Sequence, residues 1–160
     1  MDLLAQVLVN GVLLGGLYAV MALGLALVWG VLNIVNLAHG AFIMLGAYCS
    51  WHLFHYLGID PFLGLPITAA VMFALGYGLQ RGLLNLIVRA PMFNTLLLTF
   101  GLEVVLTYLA QLAFSADFRA INPGYAGHRT QWGPVVLPLV RLGAFGVALA
   151  LTLGMWLFLL

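Results

Sequence analysis

The sequence predicts an all-α protein, a polytopic membrane helix bundle of about five transmembrane helices with a break near residues 30–40. Three observations predict it. From Leu3 to Ile59 there is no Asp, Glu, Lys or Arg, and at about 20 helical residues per crossing of a roughly 30 Å hydrocarbon core that run is enough for two crossings. Hydrophobic residues make up 65% of the chain and charged residues 6%, a balance that suits a bilayer and not a water-soluble core. The apolar stretches are continuous, as in Val12–Val31 and Leu142–Leu160, whereas membrane barrel strands alternate apolar and polar over about ten residues.

The elements follow in order. Helix 1 is expected from about Leu4 to Gly30 and helix 2 from about Gly40 to Leu57. Helix 3 is expected to start at Pro61, a residue suited to a first helical turn, and to end near Gln80, before Arg81. Helix 4 is expected from Met92 to Phe114. Ser115–Pro134 reads as a polar connection, with the turn formers Asn122-Pro123-Gly124 and Gly127. Helix 5 is expected to begin near Leu137 and to be still running at Leu160, apolar to the last residue with no interfacial anchor. The expectation is therefore that residues 1–160 are the N-terminal part of a single transmembrane domain, cut within helix 5. Small residues recur four apart at Gly11 and Gly15, at Ala74, Gly78 and Gly82, and at Gly146, Ala150 and Gly154. Such rows let helix backbones approach closely.

Several function classes are excluded or demoted. Net charge is +1, too small for a nucleic-acid surface. The chain has no lysine, so it holds neither a Walker A loop nor a Schiff-base lysine. Any ATP-driven work would need a partner ATPase. The single cysteine, Cys49, cannot form an internal disulfide and reads as a small buried hydrophobe. Asp2 stands where a signal peptide would have basic residues, so the first apolar stretch reads as an uncleaved membrane helix. No Gly-x-Ser-x-Gly, His-Glu-x-x-His or Cys-x-x-Cys is present, and the reading carries no catalytic residue, metal or cofactor. His52 and His55 have a metal-compatible spacing with only Asp60 nearby, and at a helix end they read as interfacial.

The informative stretch is Asn33-Ile-Val-Asn36-Leu-Ala-His39-Gly40, inside the uncharged run. Asn33, Asn36 and His39 stand three apart and would cover one side of a helix over about 120°. Unpaired polar groups in hydrocarbon cost several kcal/mol, so these should face protein or a water-filled cavity. With Gly30 before and Gly40 after, they suit the broken helix by which transporters present backbone groups to a substrate. They equally suit an ordinary polar turn at the membrane surface. Glu103 lies midway along helix 4 and should face the bundle interior, as a pathway residue or a hydrogen-bonding strut. Tyr18 and Asn10 are polar groups of helix 1, Tyr18 a packing aromatic or a substrate contact. Trp51, Tyr56, Tyr125 and Trp132 look like interfacial aromatics on one side. Charge leaves orientation undecided, with Arg81 and Arg89 in one loop and Arg119, Arg129 and Arg141 in the next connection.

The run Asn10-Gly11-Val-Leu-Leu-Gly-Gly16-Leu-Tyr18-Ala-Val-Met-Ala-Leu-Gly24-Leu resembles the first helix of branched-chain amino acid ABC transporter permeases, the LivH-type subunit. Trp29-Gly30-Val-Leu-Asn33-Ile-Val-Asn36-Leu-Ala-His39-Gly40-Ala-Phe-Ile-Met-Leu-Gly46-Ala-Tyr48 resembles that family's Asn-Phe-Ala-His-Gly signature and the helix after it. Thr99-Phe-Gly101-Leu is similar to a motif of its fourth helix. The resemblance implies an importer with a second permease subunit, two cytoplasmic ATPase subunits and a periplasmic substrate-binding protein. It implies about eight helices in roughly twice this length, with the ATPase-docking segment past Leu160. It also implies a bacterial inner-membrane location with the N-terminus periplasmic and Arg81 and Arg89 cytoplasmic. Three departures stand out: Leu37 for the usual Phe, Gln80-Arg81 for Glu-Arg, and Arg89-Ala-Pro91 for Arg-Pro. They read as surface-loop changes.

The reading is thus a permease subunit for uptake of branched-chain or related amino acids by alternating access. Tyr18, Asn33, Asn36, His39, Gly40 and Glu103 are its candidate pathway or hinge residues. Its rivals are a passive channel and a structural subunit of a membrane complex. Asn-Leu-Ala superficially resembles an aquaporin half-helix, but it lacks the proline and occurs once.

Overall fold

The structure, a computed structural model, describes residues 2–87, 91–115, 117–132 and 135–160. Arg89 and the side chain of Trp132 lie outside what is described. The described residues form five helices and one hairpin: α1, Asp2–Leu32; α2, His39–Leu57; α3, Leu65–Ile87; α4, Met92–Phe114; β1, Arg129–Trp132; β2, Val135–Pro138; and α5, Leu139–Leu159. The fold is an all-α membrane bundle. α1, α3, α4 and α5 are long and apolar enough to cross a membrane. At 19 residues α2 is the least apolar of the five, with three histidines and Ser50. α1 has 31 residues, about 46 Å at 1.5 Å per residue, which exceeds the hydrocarbon thickness.

The residues group into two compact units. One is Met1–Leu27 with Asn122–Leu160, the other Val28–Ile121. Leu13 and Ile34 are buried, but most of the buried side chains are small, and many large ones face out. Ala38, Ala41, Ala110, Ala148, Thr68, Thr95 and Thr99 are buried, while Phe73 is 75% and Leu112 84% exposed. A soluble protein hides its large apolar residues; a helix bundle in lipid has no reason to, and gains from small residues at its contacts.

In the first unit, α1 is tied to β2 and α5 by polar groups. The Gln6 amide donates to the Val136 carbonyl at 2.9 Å and accepts from the Val136 N–H at 2.7 Å. Arg141 donates to Asn10 Oδ1 at 3.1 Å. β1 and β2 pair antiparallel, Arg129 opposite Pro138 and Trp132 opposite Val135. The expected polar connection thus holds only β1 of a hairpin whose second strand lies beyond Pro134, and α5 starts at Leu139, two residues later than expected. Thr130, Val135 and Val136 are β-formers whose extended backbone the hairpin uses.

Gly16 of α1 shows why a small residue is needed there. A Cβ at this position would overlap the Phe145 ring of α5. Gly11, Gly15, Gly78, Gly82, Gly146 and Gly154 have no atom within 4 Å of an added Cβ. The close approach therefore falls at Gly16, beside the expected pair and not on it. Gly16→Val should cost about 1–3 kcal/mol of overpacking, while Gly11→Ala should be neutral. Thermal unfolding of the purified protein in detergent reads both.

In the second unit, α2 ends at Gly58, whose φ of 65° is the left-handed cap conformation. Asp60 Oδ1 then accepts from the Phe62 N–H at 2.9 Å, and the Gly64 N–H reaches the Asp60 carbonyl at 2.8 Å. This Asx turn holds Pro61–Gly64 outside the helix, so α3 begins at Leu65, with Pro66 in its first turn. α3 packs on α2, where Ser50 Oγ and Thr68 Oγ1 lie 3.2 Å apart. α3 does not stop at Gln80. It continues through a π-helical segment, Gln80–Leu84, and a last turn, Asn85–Ile87. Gln80 and Arg81 are therefore helical residues and not loop residues. Arg81 donates to the Tyr77 hydroxyl at 3.1 Å, one turn back.

Candidate functional site

The site is built where α1 stops. Gly30 does not break the helix, which runs on to Leu32. Asn33 ends it, with φ of 52° and its N–H bonded to the Trp29 carbonyl at 2.9 Å. Asparagine tolerates this left-handed conformation better than other residues with a side chain. Residues 33–38 are non-helical, and α2 starts at His39, so Gly40 lies inside its first turn. The break falls within the expected interval.

Asn36 shapes the restart. Its Oδ1 accepts from the Ala38 N–H at 3.1 Å, and the His39 N–H reaches the Asn36 carbonyl at 3.3 Å. The Phe42 N–H to the Ala38 carbonyl, at 3.1 Å, is the first bond of the new helix. Ile34 and Ala38 are buried, while Asn33 and Leu37 point out. A short side-chain amide thus satisfies a backbone donor that the broken helix releases.

The break is tied to α4 by Thr99. Its hydroxyl lies 3.1 Å from both the Val35 and the Leu96 carbonyl oxygens, and Thr99 is 0% exposed. Thr99 is seven residues into α4, about 10 Å from its first residue. The break therefore sits two helical turns inside the end of α4. Two motifs distant in sequence, around Asn36 and around Thr99, meet in one hydrogen bond.

Beside the break lies a cavity of about 210 Å³, lined by Val28, Leu32, Ile34, Asn36 and Phe42, and from α3 by Gly76, Gln80 and Leu84. The lining is apolar except for the two amides, Asn36 and Gln80. Sequence reasoning placed Gln80 at a surface loop and missed it. The signal that could have found it was its place in α3, one turn beyond Gly76.

The other expected residues are distributed. Glu103 Oε1 accepts from Thr107 Oγ1 at 3.4 Å, and with Thr95 and Thr99 these form a stripe four residues apart on α4. Thr95 bonds back to the Met92 carbonyl at 2.6 Å. Tyr18 belongs to the first unit and is 67% exposed. His52 Nδ1 donates to the Tyr48 carbonyl at 2.8 Å, and His55 stacks on Trp51 with centroids 4.5 Å apart. Arg119 lies over the Trp51 ring at 4.3 Å and donates to the Phe114 carbonyl, which closes the end of α4. Both histidines are thus engaged by the aromatic cluster at the far end of α2.

Residues 7–160 match the family model described as branched-chain amino acid transport system / permease component. The chain is 27% identical over 165 residues to the high-affinity branched-chain amino acid transport system permease protein BraD of Pseudomonas aeruginosa, covering 96% of this chain and 54% of that protein. It is 30% identical over 112 residues to the corresponding LivH protein of Salmonella typhimurium, covering 63% and 35%. LivH of Escherichia coli is 35% identical over 79 residues, covering 46% and 26%. The chain spans about half the length of BraD and less of the LivH proteins. No solved structure shows a significant match. A multi-pass helical chain whose break and Thr99 motif converge, and whose match runs nearly end to end, belongs to the branched-chain amino acid transport permease family.

Proposed function

We propose that this chain is the N-terminal part of a permease subunit of an ATP-driven importer for branched-chain or related amino acids, in a bacterial inner membrane with its N-terminus periplasmic. The observation that carries the reading is the depth of the break at Asn33–Ala38, held by Thr99 two turns inside α4. Irregular backbone inside a bilayer is tolerated where it is buried in protein or lines a cavity; Ile34 and Ala38 are buried, and Ile34 and Asn36 line the cavity.

The chemistry of the pathway is binding and release. Asn36 and Gln80 offer neutral hydrogen-bonding groups in an apolar wall, strong enough to orient a polar solute and too weak to trap it. Asn33, in its left-handed conformation, and Gly40, with no side chain, form the two ends of a hinge. His39 opens α2 directly beneath it. Thr99 couples the hinge to α4, so a tilt of α4 moves the Val35 carbonyl with it. Glu103 and Tyr18 are further candidate pathway groups. Alternating access follows if such tilts are driven from outside the chain by two cytoplasmic ATPase subunits. A second permease subunit completes the pathway, and a periplasmic substrate-binding protein delivers the solute.

The test is a partner-resolved mass of the native complex, extracted gently from membranes. Two ATPase subunits and a second permease alongside this chain are the expected result. A homo-oligomer of this chain alone would overturn the reading in favour of a passive channel.

A further inference from the structure

The two arginines of the first unit, Arg129 and Arg141, line one cavity of about 450 Å³ at the start of α5. The hairpin register sets Arg129 opposite Pro138, the residue before α5, and Arg141 stands in the first turn of that helix. Arg141 Nη1 reaches across to α1, where Asn10 Oδ1 accepts its hydrogen bond at 3.1 Å, and Asn10 lines the same cavity. The side-chain acceptors of the lining are thereby engaged. Asn10 directs its oxygen at Arg141 and keeps the N–H donors of Nδ2. Gln6 spends both ends of its amide on Val136. Arg141 keeps the rest of its guanidinium donors, and Arg129 has no side-chain partner among the described residues. No described residue of the lining is acidic. The cavity is thus a place of donors and positive charge without a counter-charge.

Depth in the bilayer decides which anion meets these donors. α5 is a membrane span of 21 residues, about 31 Å at 1.5 Å per residue, which matches a hydrocarbon core of roughly 30 Å with nothing to spare. Its first turn therefore lies where the hydrocarbon ends, and phospholipid phosphates sit just outside that level. A cation in a first turn works against the helix dipole, and α5 carries no acid there to offset Arg141. A phosphate would, because the guanidinium fork matches two of its oxygens. We propose that Arg129 and Arg141 bind the phosphate of an anionic phospholipid with a phosphatidylglycerol-like head group. Asn10 Nδ2 is a further donor, and Val136, Pro138 and Val140 supply an apolar wall beside the lipid glycerol. An acidic protein surface would have to press into the first turn of a membrane span to reach the same groups. Such a site needs only that α5 crosses the bilayer, and it stands whatever the chain transports.

The experiment is native mass spectrometry of the full chain in mild detergent, titrated with dioleoylphosphatidylglycerol, dioleoylphosphatidylcholine or inorganic phosphate. The wild type should hold phosphatidylglycerol at least about tenfold more tightly than phosphatidylcholine. Asn10→Asp keeps an oxygen acceptor for Arg141 and places a carboxylate in the cavity. It should abolish that preference without lowering the unfolding temperature, whereas a merely structural Arg141–Asn10 tether predicts unchanged lipid binding. Arg129→Gln has no bond among the described residues to lose, so it should fold, and it should weaken phosphatidylglycerol binding about fivefold, the worth of one arginine near a lipid surface. Arg81→Gln removes the same charge from the second unit and should leave the affinity unchanged. Equal binding of the two lipids by the wild type overturns the site, as does an undiminished preference in Asn10→Asp or an equal loss in Arg81→Gln. Displacement of phosphatidylglycerol by inorganic phosphate at equal concentration makes this a soluble-anion site and overturns the lipid assignment. An acidic partner protein lost from the native complex in Arg129→Gln, with phosphatidylglycerol binding intact, overturns it in favour of a protein contact.

Discussion

Asn36→Leu should abolish uptake while leaving the complex assembled. Leucine is close to asparagine in bulk, so the walls around it are kept. What is lost is the Oδ1 acceptor for the Ala38 N–H and the Nδ2 donors toward the cavity. An unsatisfied backbone N–H costs about 1–3 kcal/mol, too little to dissolve a bundle of five helices but enough to loosen the restart of α2. Asn36→Asp separates the two losses. It keeps the acceptor and so the turn, but replaces the donors with a carboxylate that has no counter-charge in the cavity. Uptake should be lost in both variants, with thermal stability lowered in Asn36→Leu by the unpaired N–H and in Asn36→Asp by the uncompensated charge. Normal uptake in Asn36→Leu would remove Asn36 from the pathway. Normal uptake in Asn36→Asp alone would reduce its role to the turn.

Thr99→Val is the second large effect. Valine matches threonine in shape and removes only the hydroxyl. The Leu96 carbonyl keeps its helical surroundings, but the Val35 carbonyl loses its donor across the interface. With Thr99 fully buried, no solvent replaces the bond, and the expected destabilisation is about 1–3 kcal/mol. Uptake should fall by about tenfold, equivalent to roughly 1.4 kcal/mol in rate, because α4 no longer carries the break with it. Thr99→Ser retains the hydroxyl and should recover both uptake and unfolding temperature. Equal behaviour of the valine and serine variants would show that packing, and not the tether, is what Thr99 supplies.

The bundle was legible because a bilayer imposes it: an uncharged run ending at Asp60 leaves few alternatives to helices. α4 runs over the expected Met92–Phe114, bounded in the structure by Pro91 and by Ser115, which leaves it at a positive φ of 62°. Legibility fails where local chemistry competes. Pro61 reads as a helix start, but the Asp60 carboxylate captures the following backbone first. Gln80 reads as a helix end because the charged Arg81 follows it, and no periodicity rule anticipates a π turn. Within the candidate site, the break was visible from Asn33, Asn36 and His39. Its depth was not, since depth is fixed by Thr99, more than sixty residues away in the chain. The glycines of the small-residue rows meet no neighbouring atom, because spacing shows what could pack and not what does; among the described glycines it is Gly16 that meets a neighbouring ring.

The two hydrogen bonds from Gln6 have a consequence for how the hairpin behaves outside its own strands. A two-stranded ribbon has two bare edges, and a bare edge is a template on which another chain can add a strand. Val136 stands opposite Gln131, and both its N–H and its carbonyl are met by the one side-chain amide of Gln6. A primary amide has the same donor and acceptor as a peptide group, so Gln6 occupies that edge as a third strand one residue long would. The helix beside the hairpin thereby protects it from pairing with a stranger.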